Sequence, residues 1–545
     1  MSKQIVLGDE ASKVIKKGVD TVADAVKVTI GPRGRNVVYD RGFGGPTITN
    51  DGVSIAREIV LKDPLENIGA NLIKEVAQKT NEIAGDGTTT SVILTQAIVE
   101  GGMKKISLGM NAIGVKNGIE KAVKVAVDEL KKVASPLDGA DEIAHVATIS
   151  AESEEMGKII ADTVSKLKDG STITVEESPV VGIFSEVASG MSFEKGYISH
   201  YMVTDKERME AEMKDVSILV TDSKISLVED IVPVLEQVMA TGKREMVIIA
   251  EDVTGEALST LILNKLRGGL SVLCIKAPGF GERKKDYLQD IAIATGSTFI
   301  SSEAGMTVAT TKLEDLGGAD RVVSTKDKTV IVGGRGTKEE LDARIASAKK
   351  ELEGLESKHD KLKVEERIAR MTGGVAVLKV GAATEAETKY LKLKVEDSVN
   401  AVKAALEAGI VSGGGSALLL AAKAVLGAKN DTLTDDEKVG FDILASAMEA
   451  PLKNIAINCG KGDGSIVIDK VKEIQLMSTS AGYNALTDVY VEDMIAAGII
   501  DPVKVTISAL TNSASVAGVI LTVTCVMAEE PKALPEGMGG QGMGM

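Results

Sequence analysis

Residues 85–90 combine residue types that could bind a phosphate group. Their sequence is Gly-Asp-Gly-Thr-Thr-Thr, and a helical pattern begins near Ser91. The glycines allow the backbone to approach a ligand closely, and a helix N-terminus attracts anions through its free N–H groups. Asp86 would repel a phosphate unless a cation lay between them, so the segment indicates a Mg²⁺-dependent site. A helix cap followed by a turn explains the same residues, and both interpretations stay open here.

Three other glycine-containing segments have similar residue types. Residues 29–34 end the first long helical pattern, and residues 49–52 have the composition of a hairpin turn. In residues 411–416 a triple glycine interrupts an apolar helical pattern, which lowers helix stability. Close approach of a ligand or a helix-to-helix turn would explain this interruption equally well. Asp397 and its neighbour Glu396 lie in a helical stretch, where solvated carboxylates are the default interpretation.

The composition excludes several classes of protein. The chain has 545 residues, enough for about three or four domains. Its hydrophobic content of 44% is typical of a globular protein, and its net charge of −16 argues against a nucleic-acid partner. No P-loop motif occurs. The three cysteines and three histidines are widely spaced, which argues against a disulfide framework and a zinc site.

The N-terminus has no apolar stretch of signal-peptide length, so we expect a cytoplasmic protein. One uncharged stretch, residues 505–527, is long enough to span a membrane. It contains many serine and threonine residues, whose hydroxyl groups would be costly to place in lipid. We therefore interpret it as a buried core helix and expect no membrane partner.

The order of predicted elements indicates several domains. Helical spacing dominates the first part of the chain, and Asp63 followed by Pro64 predicts the start of one helix. The middle alternates short apolar runs with helical patterns, which is typical of βαβ units and a largely parallel sheet. The predicted strands are 216–220, 246–250, 271–275 and 298–301, and the predicted helices are 227–240, 256–266 and 286–294.

The middle block has features that set it apart from both ends of the chain. Gly190 and the pair Gly373-Gly374 bracket it and are candidate hinges. Two charged segments, 338–353 and 356–370, predict an antiparallel helix pair with a structural role. Helical patterns resume near residue 394, so the middle block is predicted to be an insertion into a helical domain. The Gly/Met-rich tail is predicted to be disordered.

Two helices of the middle block, 227–240 and 256–266, are apolar over a wider arc than one buried face requires. Pro233 lies within the first of them and predicts a kink or a restart. The excess apolar residues would form either an exposed binding surface or a contact with another layer. From the residues alone, burial is the favoured interpretation.

Together these segments resemble the group I chaperonins, the GroEL family, over essentially the whole chain. The matching motifs are residues 27–32, 85–90, 372–377 and 380–385, together with the Gly/Met tail. The resemblance implies a multi-domain α and α/β fold with an apical domain inserted between glycine hinges. The implied domains are a mainly helical equatorial ATP-binding domain (1–132 and 408–545, with 531–545 as its disordered tail), a small α/β intermediate domain (133–189 and 375–407) and an α/β apical domain (190–374).

Position by position, the resemblance implies a site for ATP, Mg²⁺ and K⁺. Asp397 would orient or activate the attacking water, with Asp51 assisting, because phosphoryl transfer depends mainly on positioning and charge neutralisation. Asp86 would hold Mg²⁺, and backbone or hydroxyl oxygens of Thr29, Asn50 and Thr89 would hold K⁺. The implied nucleotide-binding positions are Thr29, Ile30, Gly31, Pro32, Asn50, Asp86, Gly87, Thr88, Thr89, Thr90, Ile149, Gly414, Asn484, Ala485, Leu486, Ile499 and Asp501.

The resemblance also implies an ATP hydrolase that folds other proteins. Seven subunits would form a ring around a cavity, and unfolded client proteins would bind the apical surface. A lid co-chaperonin of the GroES type would then enclose them. The implied client-binding positions are Tyr197, Ser199, Tyr201, Met202, Val232, Leu235, Leu258, Ile262, Leu263 and Asn264.

Three positions depart from the family pattern. Asn50 stands where the family usually has lysine, and Met202 replaces an aromatic residue. Lys461 and Gly462 stand where the family often has acidic residues that pair between two rings. The effect of Asn50 on turnover and the choice between one ring and two therefore stay open.

Two other functions are weighed against a folding machine. A soluble ATPase with a small substrate would need a polar pocket in the middle block, where the residues show apolar excess instead. A non-catalytic scaffold or holdase would bind partners on the apical face, and mutation of Asp86 or Asp397 would not affect that binding.

Overall fold

The computed structural model describes residues 3–40, 46–137, 139–167, 171–206, 208–355 and 357–530. These residues form two compact units, one from Met1–Asp162 with Gly381–Met545 and the other from Thr163–Val380. We call them the terminal unit and the inserted unit. Both boundaries fall within the predicted intermediate domain, so the division into three domains stays a prediction. The predicted disorder of residues 531–545 lies outside the described residues.

Helices dominate the terminal unit. Asp63 caps one of them as predicted, since its carboxylate accepts from the Leu65 N–H at 2.8 Å and Pro64 begins the helix. The helices are Gly8–Val26, Gly52–Glu58, Pro64–Ala84, Thr88–Ile106, Ala112–Val133, Ala140–Ala151, Glu154–Ser165, Glu385–Ala408, Ser416–Gly427, Asp435–Ala447, Ala450–Asn458, Ser465–Ile474 and Val503–Leu521, with a 3₁₀ turn at Lys27–Thr29.

The core of the terminal unit is aliphatic, because alanine, valine, leucine and isoleucine fill the contacts between its helices. Val503–Leu521 lies in this core, and the Ser513 hydroxyl donates to the Ser91 carbonyl at 2.8 Å. It is the helix among the described residues whose length and composition would allow a membrane span, yet 61% of its most apolar window is buried in the unit. Its packing confirms the predicted core helix.

Short antiparallel strand pairs complete the terminal unit. The first and last described strands pair with each other, with Lys3 opposite Glu529. This pairing joins the two ends of the chain within one unit. The paired strands are Lys3–Leu7 with Cys525–Glu529, Val37–Tyr39 with Thr47–Thr49, Ile410–Ser412 with Ile500–Pro502, and Gly482–Asn484 with Val489–Val491.

A seven-stranded mixed sheet forms the centre of the inserted unit. The βαβ pattern is confirmed, because the strands that it predicted run parallel to their sheet neighbours. The rest of the sheet is antiparallel, so the expectation of a largely parallel sheet holds for only one half. The parallel strands are Ala211–Thr221, Glu245–Ala250, Ser271–Lys276 and Phe299–Ile300, and the antiparallel ones are Gly190–Phe193, Gly317–Ser324 and Thr329–Gly334.

The described residues of the inserted unit also form two smaller sheets and three 3₁₀ turns. Arg321, which is almost fully buried, contacts Glu212 of the main sheet and Glu176 of a three-stranded sheet. The three-stranded sheet contains Thr172–Glu177, Val375–Gly381 and Gly182–Ala188, a two-stranded pair contains Lys224–Ile225 and Asp252–Val253, and 3₁₀ turns lie at His200–Met202, Val308–Thr310 and Leu313–Asp315.

The helices of the inserted unit are Val228–Ala240, Gly255–Leu266, Glu282–Thr295, Lys338–Gly354 and Lys358–Gly373. The first runs through Pro233 without a restart. The last two pack against each other through Ala348, Val364 and Met371, as the charged segments predicted. With a helical terminal unit and an α/β inserted unit, the chain is a multi-domain α and α/β protein, as the sequence indicated.

Candidate functional site

The helix Thr88–Ile106 begins without a side-chain cap. Gly87 is its N-cap residue, in a left-handed conformation with φ of 79°, and it has no side chain that could accept a hydrogen bond from the first turn. The helix starts three residues earlier than the sequence indicated, so Thr88, Thr89 and Thr90 belong to this first turn. The first backbone N–H group with an acceptor inside this helix is that of Ser91, which donates to the Gly87 carbonyl at 3.0 Å. The N–H groups of the three threonines come before it and have no intrahelical acceptor. An uncapped first turn with three hydroxyl groups suits an anion.

Two further segments meet this turn at Thr89. The hydroxyl oxygens of Thr29 and Thr89 lie 3.4 Å apart. A methyl group on Gly52 would lie 2.5 Å from the Thr89 hydroxyl oxygen, so only glycine allows this approach. The turns that begin after Thr29 and at Asp51 are therefore brought to the start of the same helix.

Asp51 corrects one local expectation. Residues 49–52 are not a hairpin turn: the strand Thr47–Thr49 ends there and the helix Gly52–Glu58 begins. The Asp51 carboxylate caps that helix, accepting from the Ser54 N–H at 2.9 Å. Asx-turn chemistry and helix capping use the same residue types, so the sequence pattern alone did not distinguish them.

Asp86 lies between the two glycines, where its carboxylate accepts from the Gly87 N–H at 2.5 Å and from the Ser150 hydroxyl at 3.2 Å. Burial raises the pKa of Asp86, the charge of Asp51 acts in the same direction, and the positive charge of Lys394 opposes both. A partly buried carboxylate beside an uncapped helix start suits a cation that is shared with a phosphate group.

Asp397 joins this group from the helix Glu385–Ala408. That helix packs on Ala140–Ala151, where the Ser398 hydroxyl donates to the Ala147 carbonyl at 2.8 Å. Burial raises the pKa of Asp397 well above its ordinary value, and the negative charges of Asp51 and Asp86 raise it further. Asp397 is therefore not the solvated carboxylate that its residue type favoured, because tertiary packing brings it to the other two.

Asp501 lies on the strand Ile500–Pro502, opposite Val411. Burial and the nearby charge of Asp86 raise the pKa of Asp501 to about 7. The triple glycine follows the paired strand, and the Gly413 N–H donates to the Ile499 carbonyl at 2.9 Å. The helix Ser416–Gly427 then starts with no side-chain cap. The triple glycine is thus a strand-to-helix turn and not the helix-to-helix turn that was one alternative.

Other predicted nucleotide positions differ in exposure. Ile30 and Ala485 share a buried apolar cluster with Tyr483. The Asn484 side chain accepts from the Leu486 N–H at 3.0 Å. The exposed positions are Pro32, Leu486 and Ile149, the last of which precedes Ser150 on the helix Ala140–Ala151.

The described residues contain no cluster of three or more His, Cys, Asp or Glu side chains that could hold a metal ion alone. Mg²⁺ often binds through one or two carboxylates together with substrate phosphates, so Asp86 beside the uncapped helix fits such an ion. The Asn50 side-chain oxygen is buried and has no hydrogen-bond partner within the described part of the chain. This unpartnered oxygen is compatible with a cation ligand at the predicted K⁺ position.

The predicted client-binding residues divide into three groups by exposure. Tyr197, Met202 and Leu235 are buried in the core of the inserted unit, and the Met202 sulfur accepts from the Cys274 N–H at 3.2 Å. In this conformation these three cannot contact a client. The partly exposed group is Ser199, Val232, Leu258 and Ile262, and the exposed group is Tyr201, Leu263 and Asn264.

Three apolar residues that are not among the implied client-binding positions are also exposed. Leu227 and Met239 lie at the two ends of the first wide apolar helix and are more than half exposed, and Leu266 ends the second. Lys265 of the second helix donates to the backbone carbonyls of Met202 and Val203. It thereby ties the turn that carries Tyr201 to the helix that carries Leu263.

A model of the TCP-1/cpn60 chaperonin family matches residues 22–531 of the chain. The chain belongs to this family. Its fold agrees with that assignment. It is similar to a crystal structure of the chaperonin gp146 from bacteriophage EL (Pseudomonas aeruginosa), solved in the presence of ATP-BeFx. The TM-score is 0.70, with 21% sequence identity, and the similarity covers 97% of this chain and 99% of the phage chain.

Sequence reasoning missed three polar residues of this chaperonin's site. Lys394 lies three positions before Asp397, on the same face of one helix, and this spacing was the available signal. Its ammonium group bonds Glu152 at 2.8 Å. No local pattern indicated Glu152 or Ser150, because the sequence does not specify that the end of Ala140–Ala151 faces Asp86.

Lys461, one of the residues that depart from the family pattern, forms an ion pair within this chaperonin chain. Lys461 pairs with Asp488 at 2.5 Å, and the Asp488 carboxylate also accepts from the Tyr483 hydroxyl at 2.8 Å. The Lys461 ammonium group therefore already has a counter-charge in its own chain.

Proposed function

We propose that this chaperonin is an ATP-driven protein-folding machine whose terminal unit hydrolyses ATP. The observation that carries the proposal is the group of Asp51, Asp86 and Asp397 around the uncapped start of Thr88–Ile106. Three carboxylates repel one another, so their shared position suits a site that is completed by cations. The phage chaperonin was crystallised in the presence of ATP-BeFx, an ATP analogue, which is compatible with ATP as the ligand here.

The roles of the residues follow from their positions. The N–H and hydroxyl groups of Thr88, Thr89 and Thr90 would bind phosphate oxygens, and Asp86 would hold Mg²⁺. That ion would neutralise charge on the phosphates and on the carboxylates. Asp397 would orient the attacking water and accept its proton, with Asp51 assisting. Mg²⁺ would also lower the pKa of Asp397 towards the ionised form that this role requires.

The inserted unit supports the second half of the proposal. Leu227, Met239, Leu263 and Leu266 expose aliphatic surface, which can contact many unfolded chains because such contacts need no specific partner geometry. We propose that a ring of seven subunits presents this surface to its cavity, and that a lid co-chaperonin of the GroES type encloses the client. We also propose that the protein is cytoplasmic and that it binds K⁺ at the predicted position.

The first test is the mass of the native particle in solution, with and without Mg²⁺ and ATP. From a subunit of 56.9 kDa, we expect about 400 kDa for one closed ring and about 800 kDa for two. A particle that stays monomeric under both conditions would contradict the ring.

The same preparation is then given a chemically unfolded client protein. We expect capture without nucleotide and release on addition of Mg²⁺ and ATP. An Asp86→Asn variant should capture the client but fail to release it. Unchanged release by that variant would favour a non-catalytic scaffold, and ATP hydrolysis without any capture would favour an ATPase with another substrate.

A further inference from the structure

Glu152 occupies an unusual position at the end of the helix Ala140–Ala151. Its backbone is left-handed, with φ of 55°, which is rare for a residue with a side chain. The neighbouring structure must therefore hold it in place.

The Glu152 carboxylate has two partners in other parts of the terminal unit. The Asn50 side-chain amide lies 3.1 Å and 3.2 Å from its two oxygens. The Lys394 ammonium lies 2.8 Å from the first of them. Because an ionised carboxylate only accepts hydrogen bonds, the Asn50 NH₂ group must face Glu152.

These partners adjoin the carboxylates of the proposed ATP site. Asn50 directly precedes Asp51, and Lys394 lies one helical turn before Asp397. Ser150, two residues before Glu152, donates to Asp86. The end of Ala140–Ala151 thus connects all three segments that bring carboxylates into the site.

We propose that Glu152 is a positioning residue that holds Asp397 at the site, with Asn50 as its anchor and Lys394 as its counter-charge. This inference rests on the proposed ATP hydrolysis.

The physical reason is the repulsion among Asp51, Asp86 and Asp397, which favours separation of the helix Glu385–Ala408 from the other two segments. The Asn50–Glu152 contact opposes that separation. Lys394 neutralises Glu152, so the contact adds no net negative charge. Burial lowers the pKa of Lys394, but the charge and hydrogen bond of Glu152, together with the charges of Tyr390 and Asp397, outweigh burial. The pKa is therefore raised, which keeps the ammonium charged.

The test compares Glu152→Ala, Asn50→Ala and the double variant with Glu155→Gln, an exposed carboxylate on the next helix, as the matched control. We expect each single variant to lower kcat roughly tenfold through loss of alignment. The double variant should lose no more than Glu152→Ala alone, because Asn50→Ala and Glu152→Ala both remove the Asn50–Glu152 contact. The affinity of Glu152→Ala for Mg²⁺–ADP, measured by calorimetry, should change less than about twofold, since this variant leaves the phosphate-binding turn untouched.

A conservative rescue completes the activity test. Asn50→Lys would place an ammonium group opposite Glu152 and should retain most of kcat in the wild-type background but not with Glu152→Ala. Multiplicative losses in the double variant, or a loss of ADP affinity in Glu152→Ala as large as its loss of kcat, would overturn the proposal.

Hydrogen–deuterium exchange of the nucleotide-free protein separates this inference from the proposed ATPase. We expect faster exchange in the helix Glu385–Ala408 for Glu152→Ala and Asn50→Ala, and no change for Glu155→Gln. If the wild-type protein hydrolyses no ATP, the proposed function fails, while the exchange result still decides whether Glu152 holds this helix. Unchanged exchange in both alanine variants would overturn the inference.

Discussion

The proposed nucleotide site and the proposed client surface are built in opposite ways. In the terminal unit, polar residues from distant segments converge, and Asp86 and Asp397 have raised pKa values because they share a partly buried space. In the inserted unit, apolar residues of two helices divide between core and surface. Leu235 is 7% exposed, whereas Leu263 is 51% exposed.

The difference shows how residue type constrains position. A buried carboxylate needs compensating charge or hydrogen bonds, so clusters of carboxylates and glycines indicate a site even before their geometry is known. A leucine is compatible with a core or with a surface, so its type does not decide between them. The predictions below test whether this contrast extends to function.

The largest expected effect is at Asp397. Asp397→Ala should lower kcat for ATP hydrolysis roughly 1,000-fold, because a positioned proton acceptor contributes on this order. Client capture without nucleotide should be unchanged. Steady-state ATPase kinetics and a capture assay measure the two properties.

Glu387→Gln is the control for Asp397→Ala, since Glu387 is an exposed carboxylate on the same helix. A loss of client capture in Asp397→Ala equal to its loss of kcat would show that the two regions are not separable.

The next effect concerns stability. Leu235→Ala should destabilise the inserted unit by about 3 kcal/mol, because it leaves a cavity in a packed core. Leu263→Ala, at a mostly exposed position, should change stability by less than about 1 kcal/mol. Urea unfolding followed by circular dichroism compares the two variants. Equal destabilisation would contradict the assignment of Leu263 to the surface.

The Asp501 carboxyl group should make the stability of the protein depend on pH. Its pKa of about 7 exceeds the ordinary 3.8, so the folded state binds the proton more tightly than the unfolded state. Stability is therefore lost as pH rises through this window. The difference corresponds to about 4 kcal/mol at most, and we expect roughly half because the carboxyl group is partly exposed.

Asp501→Asn should accordingly stabilise the nucleotide-free protein at pH 8 and have little effect at pH 4. Thermal unfolding of wild type and variant across this range measures the difference. A variant that is equally destabilised at both pH values would show that the Asp501 carboxyl group has a purely structural role.

The smallest effect is expected at the client surface. Leu263→Ser should weaken capture of an unfolded protein roughly fivefold, which is about 1 kcal/mol of lost apolar contact. ATP turnover in the absence of client should not change. Ser259→Ala, on the same helix, is the control. A Leu263→Ser variant that captures clients normally would place the binding surface elsewhere.

Much of the fold was predictable because its signals are local. The alternation of residues 216–301 predicted the parallel half of the sheet, and Asp63 with Pro64 predicted a helix start. The antiparallel half was not predicted, because Gly317–Ser324 and Thr329–Gly334 were not interpreted as strands. Residues 49–52 were misassigned because turns and helix caps use the same side chains.

The residues of the candidate site were predictable from the sequence to different degrees. Asp86 was indicated by its own neighbours in the chain, between two glycines and before three threonines. Asp397 entered only through the family resemblance, and Glu152 and Lys394 were missed. The contact between Glu152 and Asn50 joins residues about one hundred positions apart, and no local pattern encodes it.

The sequence by itself determined the family, the helical and βαβ periodicities and the phosphate-binding residue types of the first turn at Thr88. These depend on neighbouring residues and on covalent spacing. Only the tertiary structure decided which carboxylates share a space, that Glu152 contacts Asn50 and Lys394, and which leucines are exposed. The reason is that burial and charge interactions depend on the packing of segments that are distant in the chain.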